Sequence, residues 1–315
     1  MKISFCTTCM GRAHHLKETL PQNIRDNQVE EGLDIEFVVL NYNSQDDLHE
    51  WMTTDPKMSE HIRSGLVRYG HTADPDHFHM SHAKNMAHRM ATGDVLCNLD
   101  ADNFTGLDFA RFLKANFEQD MDIVMNPSNR VSKLYEPDER GFFGRVVISR
   151  ENFETLHGYD ENFSGWGGED TDFMQRAKGL GARHVRIDTS QYLSIIPHTN
   201  EERVHNMFDG EKRDQELAKV EDMKHGHQTK FVTLFNKMKV LAKPIQANPD
   251  GRYGMGNVTM ANNEPLILGA DGTNAMSPFN TCALGLPELL RGRISPRIAQ
   301  NREKDYKWDD HKLSH

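Results

Sequence analysis

The feature that most constrains this chain is the regular alternation of short β-type runs with helical spacing through its N-terminal two-thirds. Lys2 to Thr7 reads as a strand. Arg12 to Asn27 carries Leu16, Leu20 and Ile24 at helical intervals. Ile35-Glu36-Phe37-Val38-Val39-Leu40 is a β-rich run of the kind buried in a parallel sheet. Leu66 to Tyr69 forms a third short strand, and Ser81 to Met90 a helix closed by Thr92-Gly93. Asp94 to Leu99 is the next strand, ending in acidic residues. Such alternation predicts an α/β fold with a mixed, mostly parallel sheet flanked by helices. Ligands bind beyond the carboxyl ends of the strands in sheets of this type, so residues after Thr7, Leu40 and Leu99 are expected to converge on one site.

The pattern changes near residue 205. Residues 1–205 are expected to form the α/β domain, with halves at about 1–103 and 104–205. Residues 206–315 form an extension, helical and then loop-rich. Glu201 to Lys243 is charged and helix-prone, with an interruption at Lys224-His225-Gly226-His227. Asn248 to Gly272 reads as loop apart from a short strand at Pro265-Leu266-Ile267-Leu268, and the stretch from Arg291 is polar with both charge signs. No internal repeat is evident.

Of 315 residues, 47 are acidic and 37 basic, a net charge of −10, which argues against a nucleic-acid binder. No run approaches the roughly 18–20 apolar residues of a membrane span, and the N-terminus lacks the apolar core of a signal peptide. A cytoplasmic location is expected, with any membrane contact peripheral. Four cysteines are too few for a disulfide scaffold.

Two motifs carry chemistry. Asp100-Ala101-Asp102 follows an apolar strand; on an extended segment residues i and i+2 share a side, so both carboxylates can serve one divalent cation. Gly165-Trp166-Gly167-Gly168-Glu169-Asp170 places acids at the start of a helix running to about Lys178. Helix-dipole stabilisation explains one or two acids there. It does not explain a tryptophan among glycines, which supplies a stacking plate beside a carboxylate.

Together these segments resemble the GT-A glycosyltransferases, particularly the inverting family 2 enzymes and the β-1,4-galactosyltransferase group. The similarity runs from about Ile3 to His198. It includes Asn41-Tyr42-Asn43-Ser44-Gln45-Asp46, Ala83-Lys84-Asn85 with Ala91-Thr92-Gly93-Asp94, and Arg145 to Glu161. The resemblance implies a GT-A fold and a metal-dependent inverting transfer of a hexose or N-acetylhexosamine. The donor would be a UDP-sugar, and the acceptor a hydroxyl of a glycan, a lipid-linked or another molecule, as in polysaccharide biosynthesis. It implies donor contacts by Thr7, Thr8, Arg12, Asn41, Asn43, Lys84, Asn85, Asp100 and Ala101. Asp102 and His198 would ligate Mn²⁺, with Mg²⁺ as second choice, and Asp100 would contact the ribose or the metal. Asp170 would be the general base. Trp166, Gly167, Gly168 and Glu169 would hold the acceptor. Asn41 stands where many family members have an acid, and Lys84 where arginine is commoner. The residues after 205 would cover the acceptor side or mediate self-association.

Two other function classes share this kind of α/β frame. A sugar-nucleotide pyrophosphorylase normally has a Gly-rich basic loop after the first strand, whereas Thr7 to Arg12 holds one glycine and one arginine. A silent glycan- or nucleotide-binding module would not need Asp102, His198 and Asp170 together.

Several features are read as packing or surface. His71, His77, His79, His82 and His88 match no common zinc spacing and read as a polar loop entering a helix. Cys6-Thr7-Thr8-Cys9 has the C-x-x-C spacing, but no second such pair exists. Gly251, Gly254 and Gly256 read as a surface turn, and Met207, Met223 and Met238 as helix-packing residues.

Overall fold

The computed structural model describes residues 1–27, 32–128, 134–135, 141–163, 165–224 and 245–269. The central strands are β1 (Lys2–Cys9), β2 (Asp34–Tyr42), β3 (Val67–Thr72) and β4 (Val95–Asn98). They are joined through the helices α1 (Ala13–Asn27), α2 (Leu48–Thr54), α3 (Pro56–Arg63) and α4 (Met80–Met90). Next come β5 (Asn103–Phe104), α5 (Phe109–Phe117), β6 (Ile123–Pro127), β7 (Val147–Ser149) and α6 (Arg150–Thr155). The chain continues through α7 (Glu169–Leu180), β8 (Arg183–Ile187), β9 (Ser194–Ile195), α8 (Asn200–Val204), α9 (Gly210–Lys224), β10 (Gly256–Met260) and β11 (Pro265–Leu268). The sheet order is β11-β10-β3-β2-β1-β4-β7-β6-β8, and the central β3-β2-β1-β4 block is parallel. The sequence-derived strands and helices through β4 lie within a few residues of these bounds.

Strand alternation sorts side chains onto two cores. Ile3 and Phe5 of β1 join Phe37 and Val39 of β2 on the face covered by α1 and α5. Phe5 and Phe37 lie opposite each other in register and stack at 5.0 Å. Cys6, Val38 and Leu40 point the other way, toward Met86 and Met90 of α4 and Phe153 and Phe173 of the later helices. Each fully buried large apolar side chain contributes about 1.5–3 kcal/mol, so both helix layers are pinned to the sheet. Glu36 is the polar exception, and its carboxylate is satisfied by Ser4 Oγ (2.6 Å), Thr92 Oγ1 (2.8 Å) and Lys2 Nζ (2.9 Å).

The C-terminal part departs from expectation. Residues 256–260, read as loop, form β10, which pairs with both β11 and β3. This hairpin extends the main sheet, so a boundary near residue 205 separates segments that share one sheet. The turn at 251–256 is anchored in the protein body by Tyr253 and Gly254, while Arg252 and Met255 stay exposed. Gly254 donates to Glu161, a Cβ on it would meet the Asn85 and Met86 backbone at 2.7 Å, and Tyr253 is buried. Buried Arg89 of α4 holds this region by donating to the carbonyls of Tyr253 and Gly269. Within the described residues the expected helical run is present as α8 and α9. The interruption from residue 225, Met238, the side chain of Met223 and the polar tail lie outside the described residues.

Among the described residues no helix is long and apolar enough to cross a membrane.

Candidate active site

The order β2-β1-β4 makes the gap between the ends of β1 and β4 the place where the chain's connections diverge, which is where open α/β sheets bind ligands. A cleft of about 510 Å³ opens there, lined among others by Thr8, Arg12, Lys84, Asp100, Asp102 and Trp166.

Asp102 and His198 meet through a small second sheet. β5, directly after Asp102, pairs antiparallel with β9, and Ile196 N donates to Asp102 O at 2.8 Å. This carries the following residues back to Asp102, and His198 Nε2 lies 2.8 Å from Asp102 Oδ2. Fully buried Arg145 supports the turn by donating to Asn103 Oδ1 (3.1 Å), to Phe104 O (2.8 Å) and to Tyr192 O. Burial alone would raise the Asp102 pKa; the hydrogen bond and charge of His198, with help from Asn103 and Arg12, bring it below the usual value.

The Nδ1 of His198 faces the Thr199 carbonyl at 3.1 Å. A carbonyl only accepts, so Nδ1 carries hydrogen, and a neutral ring then turns its Nε2 lone pair toward a carboxylate oxygen. Such a contact requires either a proton or a cation between the two atoms. The donor set, one imidazole nitrogen and a carboxylate oxygen, suits Mn²⁺ or Mg²⁺ in that order.

Asp100 does not share this pair as an extended Asp-x-Asp would. Residues 100–103 form a turn, with Asn103 N donating to Asp100 O at 3.0 Å, so the two side chains take different partners. Asp100 Oδ1 accepts from Asn98 Nδ2 at 3.1 Å, and its Oδ2 sits so close to Gly144 that a Cβ there would lie 2.5 Å away. Burial raises the Asp100 pKa, and the negative charge of Asp102 adds to this against Lys84.

The second cluster comes from α4 and the start of α7. Gly168 adopts a left-handed conformation (φ 103°) as the residue before the helix, which turns Glu169 and Asp170 into the cleft. Lys84, 3% exposed, donates to Glu169 Oε1 at 2.8 Å and to Asp170 Oδ1 at 2.7 Å. Desolvation would lower the lysine pKa, yet Asp170, Glu169 and Asp100 outweigh it and hold it well above its usual value. The two acids split. Burial would raise Glu169, but Lys84 brings it below the ordinary range. Asp170 is pushed well above its usual value by burial, despite Lys84, with the charges of Glu169 and Asp100 adding to the shift. Paired groups driven apart in this way are suited to acid–base work.

Other expected residues fall differently. Thr8 and Ala101 line the cleft, but Thr7 is buried within β1. Asn41 is fully buried, with its amide committed to the Tyr69 hydroxyl (3.0 Å) and the Ser44 backbone (2.8 Å). Asn85 is likewise interior, bonded to the Tyr159 backbone and Glu161. Both are fully buried and neither lines the cleft, so as placed they hold the fold and do not reach a ligand there. Asn43 bonds Pro75 O at 2.8 Å and lines a neighbouring cleft of about 770 Å³ together with Gly11, Gln45 and His77. Asn206, reaching Met10 O at 2.9 Å, lines both clefts.

Trp166 lines the cleft between Gly165 and Gly167. Its backbone N–H donates to Glu216 Oε1 of α9 at 2.6 Å, and Arg203 of α8 lies 4.9 Å over its ring. Arg145, Arg203 and Glu216 were not singled out in the sequence. Only the Thr199–Glu202 capping box, which opens α8, left a readable signal nearby.

Three histidines of residues 71–88 serve packing: His79 caps α4, His82 contacts Tyr42 and Met255 O, and His88 stacks on Phe153 at 4.8 Å, whereas His77 is exposed beside Asp209 in the neighbouring cleft. Burial lowers the His88 pKa to about 3. Cys6 and Cys9 are buried, and burial pushes the Cys9 thiol up to about 12. Met207 packs with Val204 and Val220.

Residues 128–199, which contain Trp166–Asp170 and His198, match the family model described as the N-terminal domain of galactosyltransferase. No curated protein matches the sequence. Among solved structures, the mannosyltransferase PcManGT from Pyrobaculum calidifontis, in complex with GDP-Man and Mn²⁺, is similar at TM-score 0.50 and 16% identity; the match covers 65% of this chain and 61% of that one. S. aureus TarS 1-349 with UDP matches at TM-score 0.48 and 13% identity, covering 73% of each chain. GalNAc-T7 with UDP, GalNAc and Mn²⁺ matches at TM-score 0.46 and 17% identity, over 59% of this chain and 42% of that one. The architecture is that of the GT-A glycosyltransferases, with a large, mostly parallel sheet flanked by helices.

Proposed function

We propose that this chain is a metal-dependent inverting glycosyltransferase, acting in the cytoplasm, that moves a hexose or N-acetylhexosamine from a UDP-sugar to a hydroxyl of a glycan or other acceptor. The observation that carries this reading is the presence in one cleft of two separate assemblies, Asp102 with His198 and Lys84 with Glu169 and Asp170. Displacement at an anomeric carbon needs a stabilised leaving diphosphate on one side and a base on the other. The family match over residues 128–199 and the GT-A fold support the same assignment.

Asp102 Oδ2 and His198 Nε2 would hold the divalent cation. When bound, it supplies positive charge to the leaving diphosphate. Asp170 would take the proton of the acceptor hydroxyl. Its Oδ1 is engaged by Lys84, which leaves Oδ2 for that proton. The raised pKa gives Asp170 enough basicity to hold the proton through the displacement. Lys84 keeps Glu169 ionised as an acceptor-hydroxyl partner and fixes the orientation of both acids. Trp166 offers a flat apolar face to a sugar ring at the cleft wall.

A screen for UDP release across a panel of UDP-sugars, with and without Mn²⁺, tests this reading. Turnover that depends on Mn²⁺ is expected. Asp170→Asn should abolish transfer while UDP and Mn²⁺ binding stay within a few-fold of wild type. Wild-type turnover in that variant would remove Asp170 from the base role, and inactivity of every UDP-sugar with a GDP- or dTDP-sugar active would reassign the donor.

A further inference from the structure

The lining of the main cleft is of two kinds. Besides the charged groups described above, Phe78, Met80, Trp166, Met207 and Val220 all line it. These five belong to one apolar cluster, in which Met207 and Val220 are buried with Val204, while Phe78, Met80 and Trp166 pack against them half-buried. They come from three separate parts of the chain: the entry to α4, the Trp166 turn and the α8–α9 segment. The Phe78 N–H donates to Asn206 O at 2.6 Å, and the Trp166 N–H donates to Glu216 Oε1 at 2.6 Å. These two bonds tie the three parts together.

Met80 and Lys84 stand four residues apart on α4 and so share a face of that helix, and Lys84 holds Glu169 and Asp170. The apolar lining therefore adjoins the part of the cleft where Asp170 would meet an acceptor hydroxyl. A cluster whose only task was to hold α8 and α9 would close on itself; here three of its side chains stay open to the cleft. A bare sugar gains little from such a surface beyond one stacked ring. Each hydroxyl turned toward it gives up water and receives no hydrogen bond in return. An alkyl chain loses nothing polar there and buries apolar area. The lining also suits a chain better than a flat ring. Met80 and Met207 are unbranched and adaptable, and the Trp166 ring already carries the Arg203 guanidinium over one face at 4.9 Å.

We propose that the acceptor of this chain is an amphiphile, a hydroxylated headgroup bearing an alkyl chain that lies along Phe78, Met80, Trp166 and Met207 while a headgroup hydroxyl faces Asp170. That the amphiphile is the acceptor rests on the function proposed above; that the cleft binds an alkyl group beside Lys84 does not. Met207 and Val220 stand beyond the residues matched to the galactosyltransferase domain, so the segment after residue 199 supplies part of this specificity.

The experiment is a fluorescence titration of the full chain with neutral glucosides, below the concentrations at which they form micelles. The sequence has three tryptophans, and a Trp51→Phe, Trp308→Phe background leaves Trp166 as the reporter. Hexyl β-glucoside is expected to bind at least ~10-fold more tightly than methyl β-glucoside, the gain from burying about two of its additional methylenes. Phenyl β-glucoside should fall between them. Met80→Gln and Met207→Gln nearly keep side-chain size, and each should bring the hexyl-to-methyl ratio at least ~3-fold closer to one, with unfolding midpoints to show that the fold is intact. Hexyl and methyl affinities within about twofold in the wild type, or no emission change with the hexyl compound, overturn the apolar site. A hexyl preference that neither methionine variant lowers puts the chain elsewhere on the protein and overturns it too. Tighter binding of the phenyl compound than the hexyl one overturns the choice of an alkyl chain. No donor, metal or transfer enters this readout, so its failure is distinguishable from failure of the UDP-release screen. With the donor that the screen identifies, kcat/KM should favour the hexyl acceptor over the methyl one by a similar factor, and equal values overturn the acceptor assignment.

Discussion

Replacing Lys84 by Met keeps an unbranched side chain one atom shorter and removes its charge from between Glu169 and Asp170. The ammonium makes hydrogen bonds of 2.8 and 2.7 Å at a site where Lys84 and Glu169 are each 3% exposed. Removing one partner of a buried ion pair typically costs about 3–5 kcal/mol, because the remaining charge is left desolvated and uncompensated. At neutral pH the variant should lose about that much stability, a fall in unfolding midpoint of roughly 6–20 °C at about 2–4 °C per kcal/mol. The deficit should depend on pH with a definite sign. Asp170 already has a raised pKa in the folded protein, and loss of Lys84 raises it further. A raised carboxyl binds its proton more tightly folded than unfolded, so stability falls as pH rises from the unfolded carboxyl pKa toward the folded one. The variant should therefore recover the Asp170 share of the deficit as pH falls toward about 4–5, while the Glu169 share, held by a lowered pKa, persists until pH drops below the ordinary carboxylate range. Lys84 itself, with a raised pKa, remains charged in both states across this window. Urea unfolding of both proteins at several pH values measures the difference. A deficit below about 1 kcal/mol at neutral pH, or one that stays constant from pH 5 to 8, would refute the claim that Lys84 acts mainly by charge.

Two further outcomes are expected. The acid limb of kcat/KM should reflect Asp170, so activity should fall with decreasing pH at values above the ordinary carboxylate range, and a limb near pH 4 would contradict the raised pKa. Asp102→Asn, nearly isosteric, should weaken Mn²⁺ binding by at least the ~10–100-fold seen for outer-shell partners, measured by calorimetric titration; unchanged affinity would move the metal away from Asp102 and His198.

The architecture was legible because it rests on local periodicity. β1, α1, β2, β3, α4 and β4 each carry their signature in contiguous residues, and their alternation is enough to place a site beyond the strand ends. Trp166 to Asp170 stood out because tryptophan among glycines before paired acids is unusual for a helix start. Asn41 and Asn85 lay in equally plausible positions, yet their amides are consumed by Tyr69, Ser44, Tyr159 and Glu161. Hydrogen-bond partners so distant in the chain leave no local trace. The β10 strand was missed for a related reason: a five-residue strand with glycine and asparagine has weak intrinsic preference and is stabilised by pairing with β3 and β11.

What the sequence determined alone was the layered α/β frame and the types of side chain available for chemistry, since backbone preference and burial pattern are encoded residue by residue. Tertiary structure decided which of those side chains face one another. The turn at residues 100–103 sends Asp100 and Asp102 to different partners, the β5–β9 ladder brings His198 to Asp102, and α4 sets Lys84 between Glu169 and Asp170. Arg203 and Glu216 join Trp166 only because α8 and α9 fold back over the cleft. Charges and hydrogen bonds act over a few ångströms of space, and that proximity is set by the packing of the whole chain.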